Sequence, residues 1–212
     1  KKKNIKTIFG KPLIEWTFLE SKNCDGIDNI VVSTNDEHVK KLSNKHNINC
    51  INRDENLCAD NSTMIDVVEH VLSSIKETYD AVLILQPTSP FRTSAHIDSA
   101  ILKFKQSDCD SLVSVYEAPH QFSVSSLLKK DDQYVEPIFA EKETYHKQSK
   151  VRTYARNGAI YITKVSYLQN NKSLIADKCA YYLMKEEDSL DLDTDYDFLL
   201  AEFIKSHKDF KE

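Results

Sequence analysis

The stretch Asp80–Arg92, D-A-V-L-I-L-Q-P-T-S-P-F-R, predicts where a central sheet ends and where a functional site begins. The unbroken apolar run at 81–85 has the length of a strand that is buried on both faces of a parallel sheet. Pro87 and Pro90 lack the N–H that a central strand needs, so the strand stops before them. The segment 86–92, which carries the polar residues Gln86, Thr88, Ser89 and Arg92, therefore leaves the sheet at its carboxyl edge, where open α/β sheets bind ligands. An ordinary strand followed by a proline turn remains the alternative from this stretch alone.

The sequence on both sides of this stretch alternates between strand and helix patterns. Strands are predicted at 30–33, 48–51, 81–85, 111–116, 157–162 and 180–184. Helical spacing of apolar residues predicts helices at 13–21, 37–46, 63–76, from 94 onward, and at 195–206. This alternation with short connections predicts an α/β fold with a doubly wound, mostly parallel, Rossmann-like sheet.

Residues 117–156 interrupt the alternation, because they are polar, mixed in charge and poor in helical periodicity. A segment of this length inside a compact domain needs a reason. It is either an extended hairpin arm that packs on a second subunit or a flexible lid. We therefore predict a core formed by 1–116 and 157–212, from which 117–156 protrudes as a dimerisation arm.

Composition excludes several classes of protein. The chain has 212 residues, enough for one sizeable domain. A formal net charge of −5 and a pI near 5.8 argue against nucleic-acid binding. No apolar run approaches the ~20 residues that span a bilayer, and no apolar region of a signal peptide follows the basic start. The five cysteines form no CxxC pair, as expected for reduced thiols in the cytoplasm.

A second chemical signal is the run S-L-D-L-D-T-D-Y-D at 189–197. In an extended segment, side chains two residues apart point the same way, so Asp191 and Asp193 would aim at one spot. Two close carboxylates repel unless a cation lies between them, which favours a magnesium site. The alternative is that Asp193 and Thr194 cap the last helix, while Asp195 and Asp197 interact with the dipole at its N-terminus. We prefer this alternative for Asp195 and Asp197, and both interpretations remain open for Asp191 and Asp193.

Five motifs in the right order resemble the acylneuraminate cytidylyltransferases, also called CMP-sialic acid synthetases, along essentially the whole chain. The family includes enzymes that act on legionaminic and pseudaminic acids. The motifs are Lys3-Asn4, Arg53 followed by Leu57 and Asp60, Leu85-Gln86-Pro87-Thr88-Ser89-Pro90, Asn157-Gly158-Ala159-Ile160-Tyr161, and Asp191-Leu192-Asp193-Thr194.

The resemblance implies a reaction and a set of site residues. The anomeric hydroxyl of a nine-carbon keto-sugar acid (a nonulosonic acid) would attack the α-phosphate of CTP, forming a CMP-sugar and releasing pyrophosphate with the help of Mg²⁺. Lys3, Asp191 and Asp193 would be catalytic, and the two aspartates would hold the metal. The nucleotide would contact Lys3, Asn4, Arg53, Ser62 and Thr63, and the sugar would contact Gln86, Lys147 and Tyr161. The arm would swap onto a partner subunit, making a homodimer.

Two of these assignments have simpler alternatives. Tyr161 could be a core aromatic, and Arg53 a solvated loop charge, which is the usual fate of a lone arginine. No histidine is placed convincingly as a general base.

Three departures from the family pattern qualify the resemblance. The family begins with a strand and a glycine-rich loop, A-R-x-G-S-K, whereas this sequence starts at the closing Lys-Asn. We therefore expect the sequence to be truncated, and we expect a polypeptide that truly lacks the segment to be inactive until it is added back. Lys147-Gln148 replaces an Arg-Gln pair, which loses a bidentate fork, with Arg152 or Arg156 as possible substitutes. Leu174-Ile175 replaces an aromatic pair, which leaves the exact sugar open.

Two other functions remain open. The chain could be a non-catalytic nucleotide- or sugar-binding module of the same fold, although such a module has no need of the Asp191 and Asp193 pair. It could also be a cytidylyltransferase for the eight-carbon acid of lipopolysaccharide.

Overall fold

The structure, a computed structural model, describes residues 3–59, 62–122, 126–138 and 152–208. Its strands are β1 Thr7–Ile8, β2 Lys11–Pro12, β3 Val31–Thr34, β4 Asn49–Asn52, β5 Ala81–Ile84, β6 Ser111–Glu117, β7 Leu128–Asp131, β8 Tyr134–Pro137, β9 Tyr154–Lys164 and β10 Cys179–Leu183. Its helices are α1 Leu13–Lys22, α2 Glu37–Lys45, α3 Met64–Ser74, α4 Ser94–Gln106, α5 Val165–Asn171 and α6 Asp195–Lys208.

The largest sheet has the strand order β10-β6-β9-β5. Strands β10 and β6 are parallel, whereas β9 runs antiparallel to both of its neighbours, β6 and β5. Because β5 and β6 are each antiparallel to β9, they point the same way. The sheet is therefore mostly parallel with one reversed strand, and the predicted α/β class is confirmed.

A second sheet pairs β3 with β4 in parallel. Within the described residues, no backbone hydrogen bond between strands joins this sheet to the larger one. Side chains connect them instead: the amide of Asn29, just before β3, donates to the hydroxyl of Tyr79, just before β5, at 2.8 Å. Helix α1 packs against both α2 and α4 and so spans the two sheets.

Strand β5 differs from its prediction. Its four residues are half-buried rather than buried on both faces. The reason is its position, because β5 is an edge strand of the larger sheet in the described part of the chain.

Three apolar clusters form the core. One lies between α4 and the larger sheet and includes Ile97, Leu112 and Ile160, and a second joins α1 and α2 to the smaller sheet. The third brings together residues from both ends of the chain and from the loop after β5, namely Ile8, Leu13, Phe91, Leu192, Phe198 and Ala201. The third cluster supports the site described below.

The segment predicted as an arm contains a hairpin. Strands β7 and β8 pair only with each other in the described part of the chain. The core sheet extends slightly into the predicted arm, because β9 begins at Tyr154 and pairs that residue with Glu117. Residues 123–125 and 139–151 lie outside the described residues, and a role of the arm in dimerisation stays a prediction.

The cysteines and the helices bear on the class of protein. All five cysteines are free: Cys24 and Cys109 are buried, Cys50 and Cys179 are half-buried, and Cys58 is exposed. Among the described residues, none of the helices has the length and apolar character that would let it cross a membrane.

Candidate active site

The loop after β5 folds back on itself. The N–H of Arg92 donates to the carbonyl of Ser89 at 3.3 Å, and Ser89 and Phe91 are buried. The ring of Phe91 lies 5.5 Å from that of Phe9 and packs in the third core cluster. The two prolines end the strand as predicted, and the buried Phe91 then fixes the loop against the core.

Arg92 is buried beneath this loop, with 2% of its surface exposed. Its Nη1 donates to the carbonyls of Gln86 (2.8 Å) and Ala159 (2.9 Å), and its Nη2 donates to Oγ1 of Thr17 (2.7 Å). Burial lowers the pKa of the guanidinium to about 10, against a smaller opposing effect of Glu20. Arg92 therefore holds the loop from inside and does not face a ligand.

The loop also holds the aspartate run. The N–H of Leu192 donates to the carbonyl of Thr88 at 2.9 Å, and the side chain of Leu192 is fully buried in the third core cluster. Asp191 and Asp193, on either side of it, are half-buried and exposed, respectively. The alternation predicted from the sequence is therefore present, with leucine inward and the two carboxylates away from the core.

Asp191 lies in an environment that disfavours its charged form. Burial raises the pKa of its carboxyl group, as do the charges of Asp193 and Asp197, whereas Lys3 and a hydrogen bond from Thr88 lower it. Its Oδ1 is buried and has no hydrogen-bond partner in the described structure. A buried unsatisfied carboxylate oxygen is costly and calls for a specific partner, such as an ion.

Few side chains near Asp191 and Asp193 could serve as further metal ligands in the described part of the chain. Among the described residues, no three His, Cys, Asp or Glu side chains gather as a possible metal site. Asp191 and Asp193 alone fit Mg²⁺, which commonly binds one or two carboxylates and takes its other ligands from water and substrate phosphates.

Two lysines near the start of the sequence form ion pairs with the aspartate run at 189–197. Nζ of Lys3 lies 2.5 Å from Oδ1 of Asp193, and Nζ of Lys6 lies 2.5 Å from Oδ1 of Asp195. The ammonium of Lys6 also lies 4.0 Å from the ring centroid of Phe198. Asn4 is exposed between the two lysines. The fold therefore brings together two predicted site residues, Lys3 and Asp193, from opposite ends of the sequence.

Helix α6 begins directly after the two candidate ligands. The backbone N–H and the hydroxyl of Thr194 donate to Oδ2 of Asp197, at 2.6 and 2.8 Å, and the N–H of Asp197 donates back to Oγ1 of Thr194 at 3.3 Å. This is a capping box. Asp197 therefore serves the helix, as we preferred, and Asp195 pairs with Lys6. Thr194, not Asp193, is the cap.

Gly158 brings Gln86 and Asp191 together. It has a φ of +73°, and a Cβ at this position would lie 2.7 Å from Oε1 of Gln86 and 3.6 Å from Oδ2 of Asp191. Both side chains thus lie over the bare backbone of one glycine. Only a residue without a Cβ combines this backbone conformation with this close approach.

A buried polar network, which was not predicted from the sequence, supports the part of β9 that contains Gly158. The hydroxyl of Ser114 donates to Oδ1 of Asn157 at 2.6 Å, beside an irregularity in the pairing of β6 with β9. The amide of Asn157 donates to Oγ of Ser189 at 2.9 Å. The network therefore ties the strand that carries Gly158 to the start of the aspartate run.

Three of the predicted nucleotide-binding residues, Arg53, Ser62 and Thr63, lie by the smaller sheet rather than beside Lys3 and Asn4. Arg53, directly after β4, donates from Nη2 to the carbonyl of Ser33 at 2.7 Å and from Nε to its hydroxyl at 3.2 Å. It is therefore held at the carboxyl end of β3 rather than free in solvent. Thr63 caps α3 in a capping box with Asp66, and the hydroxyl of Ser62 is buried without a hydrogen-bond partner in the described structure.

Two predicted sugar-binding residues remain less defined. Tyr161 lies within β9, opposite Ile84 of β5 and Val113 of β6, and is half-buried. Lys147 lies outside the described residues. No hydrogen bond within the described residues links Tyr161, Arg53 or Thr63 to the group formed by Lys3, Gln86, Asp191 and Asp193.

The chain matches one family model and several known proteins. A family model described as Cytidylyltransferase matches residues 1–212. The N-acylneuraminate cytidylyltransferase of Streptococcus agalactiae serotype V is 32% identical over 200 residues, covering 93% of this chain and 48% of that protein. The CMP-N,N′-diacetyllegionaminic acid synthase of Legionella pneumophila is 30% identical over 206 residues, covering 94% and 88%. The chain thus spans about half the length of some relatives and most of others.

Solved structures share the fold. A CMP:2-keto-3-deoxy-manno-octonic acid synthetase complexed with CTP superposes with a TM-score of 0.71 at 15% identity, covering 97% of this chain and 92% of that one. The 4-diphosphocytidyl-2C-methyl-D-erythritol synthase of Anaerococcus prevotii gives a TM-score of 0.65 at 13% identity, covering 94% and 88%. At these identities the likeness concerns the fold alone.

Proposed function

Because the chain belongs to the cytidylyltransferase family, we propose that it transfers CMP from CTP to a nine-carbon keto-sugar acid and releases pyrophosphate. The observation that carries the proposal is the convergence of Lys3, Gln86, Asp191 and Asp193 at the carboxyl edge of β5. In the reaction, a bond forms between the anomeric oxygen and the α-phosphorus while the bond from that phosphorus to pyrophosphate breaks. The hydroxyl proton leaves to a base.

Asp191 and Asp193 would hold a divalent cation, Mg²⁺ by our proposal, against the phosphates. Bound there, the ion would neutralise phosphate charge and act as a Lewis acid. The orphaned Oδ1 of Asp191 supports this assignment. Lys3 pairs with Asp193, and its ammonium would also contact the triphosphate of CTP. Such reactions depend mainly on positioning and on charge neutralisation.

The remaining predicted residues divide between the two substrates. Gln86 would donate to and accept from hydroxyl groups of the sugar acid, with Tyr161 shaping its pocket and Lys147 pairing with its carboxylate. The nucleotide would contact Asn4, Arg53, Ser62 and Thr63. The buried hydroxyl of Ser62, which has no partner in the described structure, supports a polar ligand on that side.

The protein would act as a homodimer in the cytoplasm. The hairpin β7–β8 supports this proposal, because it exposes Leu128, Tyr134 and Val135, with 54%, 78% and 64% of their surfaces accessible. Apolar side chains in a protruding hairpin favour contact with another surface. Light scattering coupled to gel filtration tests the assembly, and a monomer with full activity would contradict it.

The test of the function is pyrophosphate release from CTP and Mg²⁺ by the full-length protein. Sialic, legionaminic, pseudaminic and eight-carbon keto-sugar acids would be compared, with Asp193→Ala as the variant and Glu37→Ala, on the surface of α2, as the control. We expect turnover of one nine-carbon acid, a loss of at least ~100-fold in Asp193→Ala, and wild-type rates in the control.

Two other outcomes would replace the proposal. Preference for the eight-carbon acid would assign the alternative cytidylyltransferase activity. Binding of CTP without turnover of any acid, in a folded protein, would favour the non-catalytic binding module.

A further inference from the structure

Arg92 is charged, buried and unused by the proposed reaction. Its guanidinium donates to two carbonyls and one hydroxyl, and no carboxylate lies within hydrogen-bond distance among its described partners. Its Nε has no hydrogen-bond partner in the described structure. A buried charge that is paired only with neutral groups is costly, because these groups replace water incompletely. A purely structural contact at this place could be made by an apolar side chain at lower cost.

The hydrogen-bond partners of Arg92 indicate which parts of the fold its burial holds in place. One amino group, Nη1, bridges the carbonyl of Gln86, where the chain leaves β5, and the carbonyl of Ala159, directly after Gly158. The side chain of Gln86 and that of Asp191 both lie over Gly158. Arg92 therefore fixes the two backbone segments whose spacing sets the position of Gln86 above the glycine.

The same side chain closes the loop that reaches the aspartates. Arg92 returns to Gln86 across six residues, and Thr88, inside the closed loop, accepts the hydrogen bond from the N–H of Leu192. Leu192 separates Asp191 from Asp193. One guanidinium is thus connected to the proposed sugar side through Gln86 and to the proposed metal side through Thr88.

We propose that Arg92 is a positioning residue that sets the spacing between Gln86 and the Gly158–Ala159 segment of β9, and thereby the fit of the sugar acid. This inference rests on the proposed function. Arg92 touches no substrate. Its third partner, Thr17, lies on α1 and is bonded through Nη2 rather than Nη1, so this contact can be removed separately by mutation.

The test compares Arg92→Lys and Arg92→Gln with two control variants of the full-length protein. Lysine keeps the charge but loses the planar fork, and glutamine keeps amide donors without the charge. Thr17→Val removes only the partner on α1. Val39→Ala, in the apolar cluster between α1 and α2, lowers stability far from the loop. For each variant, the melting temperature and the KM for CTP and for the sugar acid would be measured under saturating concentration of the other substrate.

We expect both Arg92 variants to lose roughly 10- to 100-fold in kcat/KM for the sugar acid. The KM for CTP should change less than that for the sugar acid, because Arg53 lies beside the smaller sheet and the aspartates are also held by the buried Leu192 and by the capping box of α6. Thr17→Val and Val39→Ala should melt at lower temperature with wild-type kinetics.

Three results would overturn the assignment. The first is wild-type sugar kinetics in folded Arg92→Lys and Arg92→Gln. The second is an equal loss in the two control variants, since the effect would then follow stability. The third is failure of both Arg92 variants to fold, because the guanidinium would then serve the fold as a whole. Absence of turnover in the wild-type protein is a separate result, which would reject the proposed function itself.

Discussion

Of the three glycines, Gly158 is the one at which an added Cβ would make the shortest contact. An added methyl group would have to push aside Oε1 of Gln86 as well as adopt a positive φ. We expect Gly158→Ala to lower the free energy of unfolding by about 1–2 kcal/mol for the backbone, whereas the collision adds little, because Oε1 is the far end of a flexible side chain that can swing aside. It should also reduce kcat/KM for the sugar acid, because Gln86 moves. Denaturant unfolding and steady-state kinetics measure the two effects.

Gly10 provides a matched control for this prediction. It has a φ of +78°, close to that of Gly158, but a Cβ there would meet nothing within 4 Å. Gly10→Ala should therefore show the backbone cost alone and leave the kinetics unchanged. Wild-type kinetics in Gly158→Ala, as expected for Gly10→Ala, would contradict the close approach of Gln86.

Asp191 is predicted to trade stability for function. Its charge is partly buried and repelled by Asp193 and Asp197, which together raise its pKa. Asp191→Asn removes this charge with little change in shape, so the metal-free protein should melt at a higher temperature at pH 7. Metal affinity, measured by calorimetry, should fall at the same time. An unchanged or lower melting temperature would mean that Lys3 and Thr88 fully compensate the charge.

At the scale of elements, the start of α6 holds Asp193, one of the two proposed metal ligands. The capping box of Thr194 and Asp197 also accepts the N–H of Asp193, at 2.9 Å. Thr194→Ala should lower the free energy of unfolding by about 1 kcal/mol and weaken metal binding, because the residue next to Asp193 loses its anchor. Thermal unfolding and calorimetry with Mg²⁺ measure the two consequences.

The capping box of α4, formed by Thr93 and His96, serves as the control. Thr93→Ala should cost a similar amount of stability with unchanged affinity for Mg²⁺. If both variants bind the metal as the wild type does, α6 supports the fold without tuning the site.

The elements themselves were largely predictable, because periodicity and capping are local. Most helix and strand bounds fall within a few residues of their predictions, and the inward Leu192 follows from simple alternation. The reversed direction of β9 was not predictable, because it depends on how the chain returns after residue 153. The seven-residue helix α5 carries too few turns to give a pattern.

For the candidate site, the types of residue could be predicted from the sequence, but the residues with which they form hydrogen bonds and ion pairs could not. Two aspartates at alternate positions indicate a cation, and the structure adds the orphaned oxygen of Asp191. The burial of Arg92 depends on Thr17, which is 75 residues away in sequence. The ion pair between Lys3 and Asp193 spans 190 residues. Such contacts arise from tertiary packing, for which one sequence carries no local signal.

For the whole molecule, the two sheets should differ in stability. The smaller sheet has only two strands, whose residues are half-buried or exposed, whereas β6 and the middle of β9 are mostly buried. Native-state hydrogen exchange should therefore show faster opening of the amides of β3 and β4 than of those of β6 and β9. Equal protection in both sheets would mean that α1, which spans them, makes one cooperative unit.

The same measurement with Asn29→Ala tests the link between the sheets. This variant removes the 2.8 Å hydrogen bond to Tyr79. We expect the opening rate of β3 and β4 to rise and that of β6 to stay constant. A uniform change across the molecule would argue against separate units.

The free cysteines offer a way to observe nucleotide binding without any mutation. Burial raises the pKa of the Cys24 thiol to about 12, so a maleimide should leave it untouched, whereas the exposed Cys58 should react first. Cys58 ends the short helical turn that follows Arg53, a few residues before the cap of α3. A fluorophore attached there would sit beside the proposed nucleotide pocket, and its emission would report the arrival of CTP.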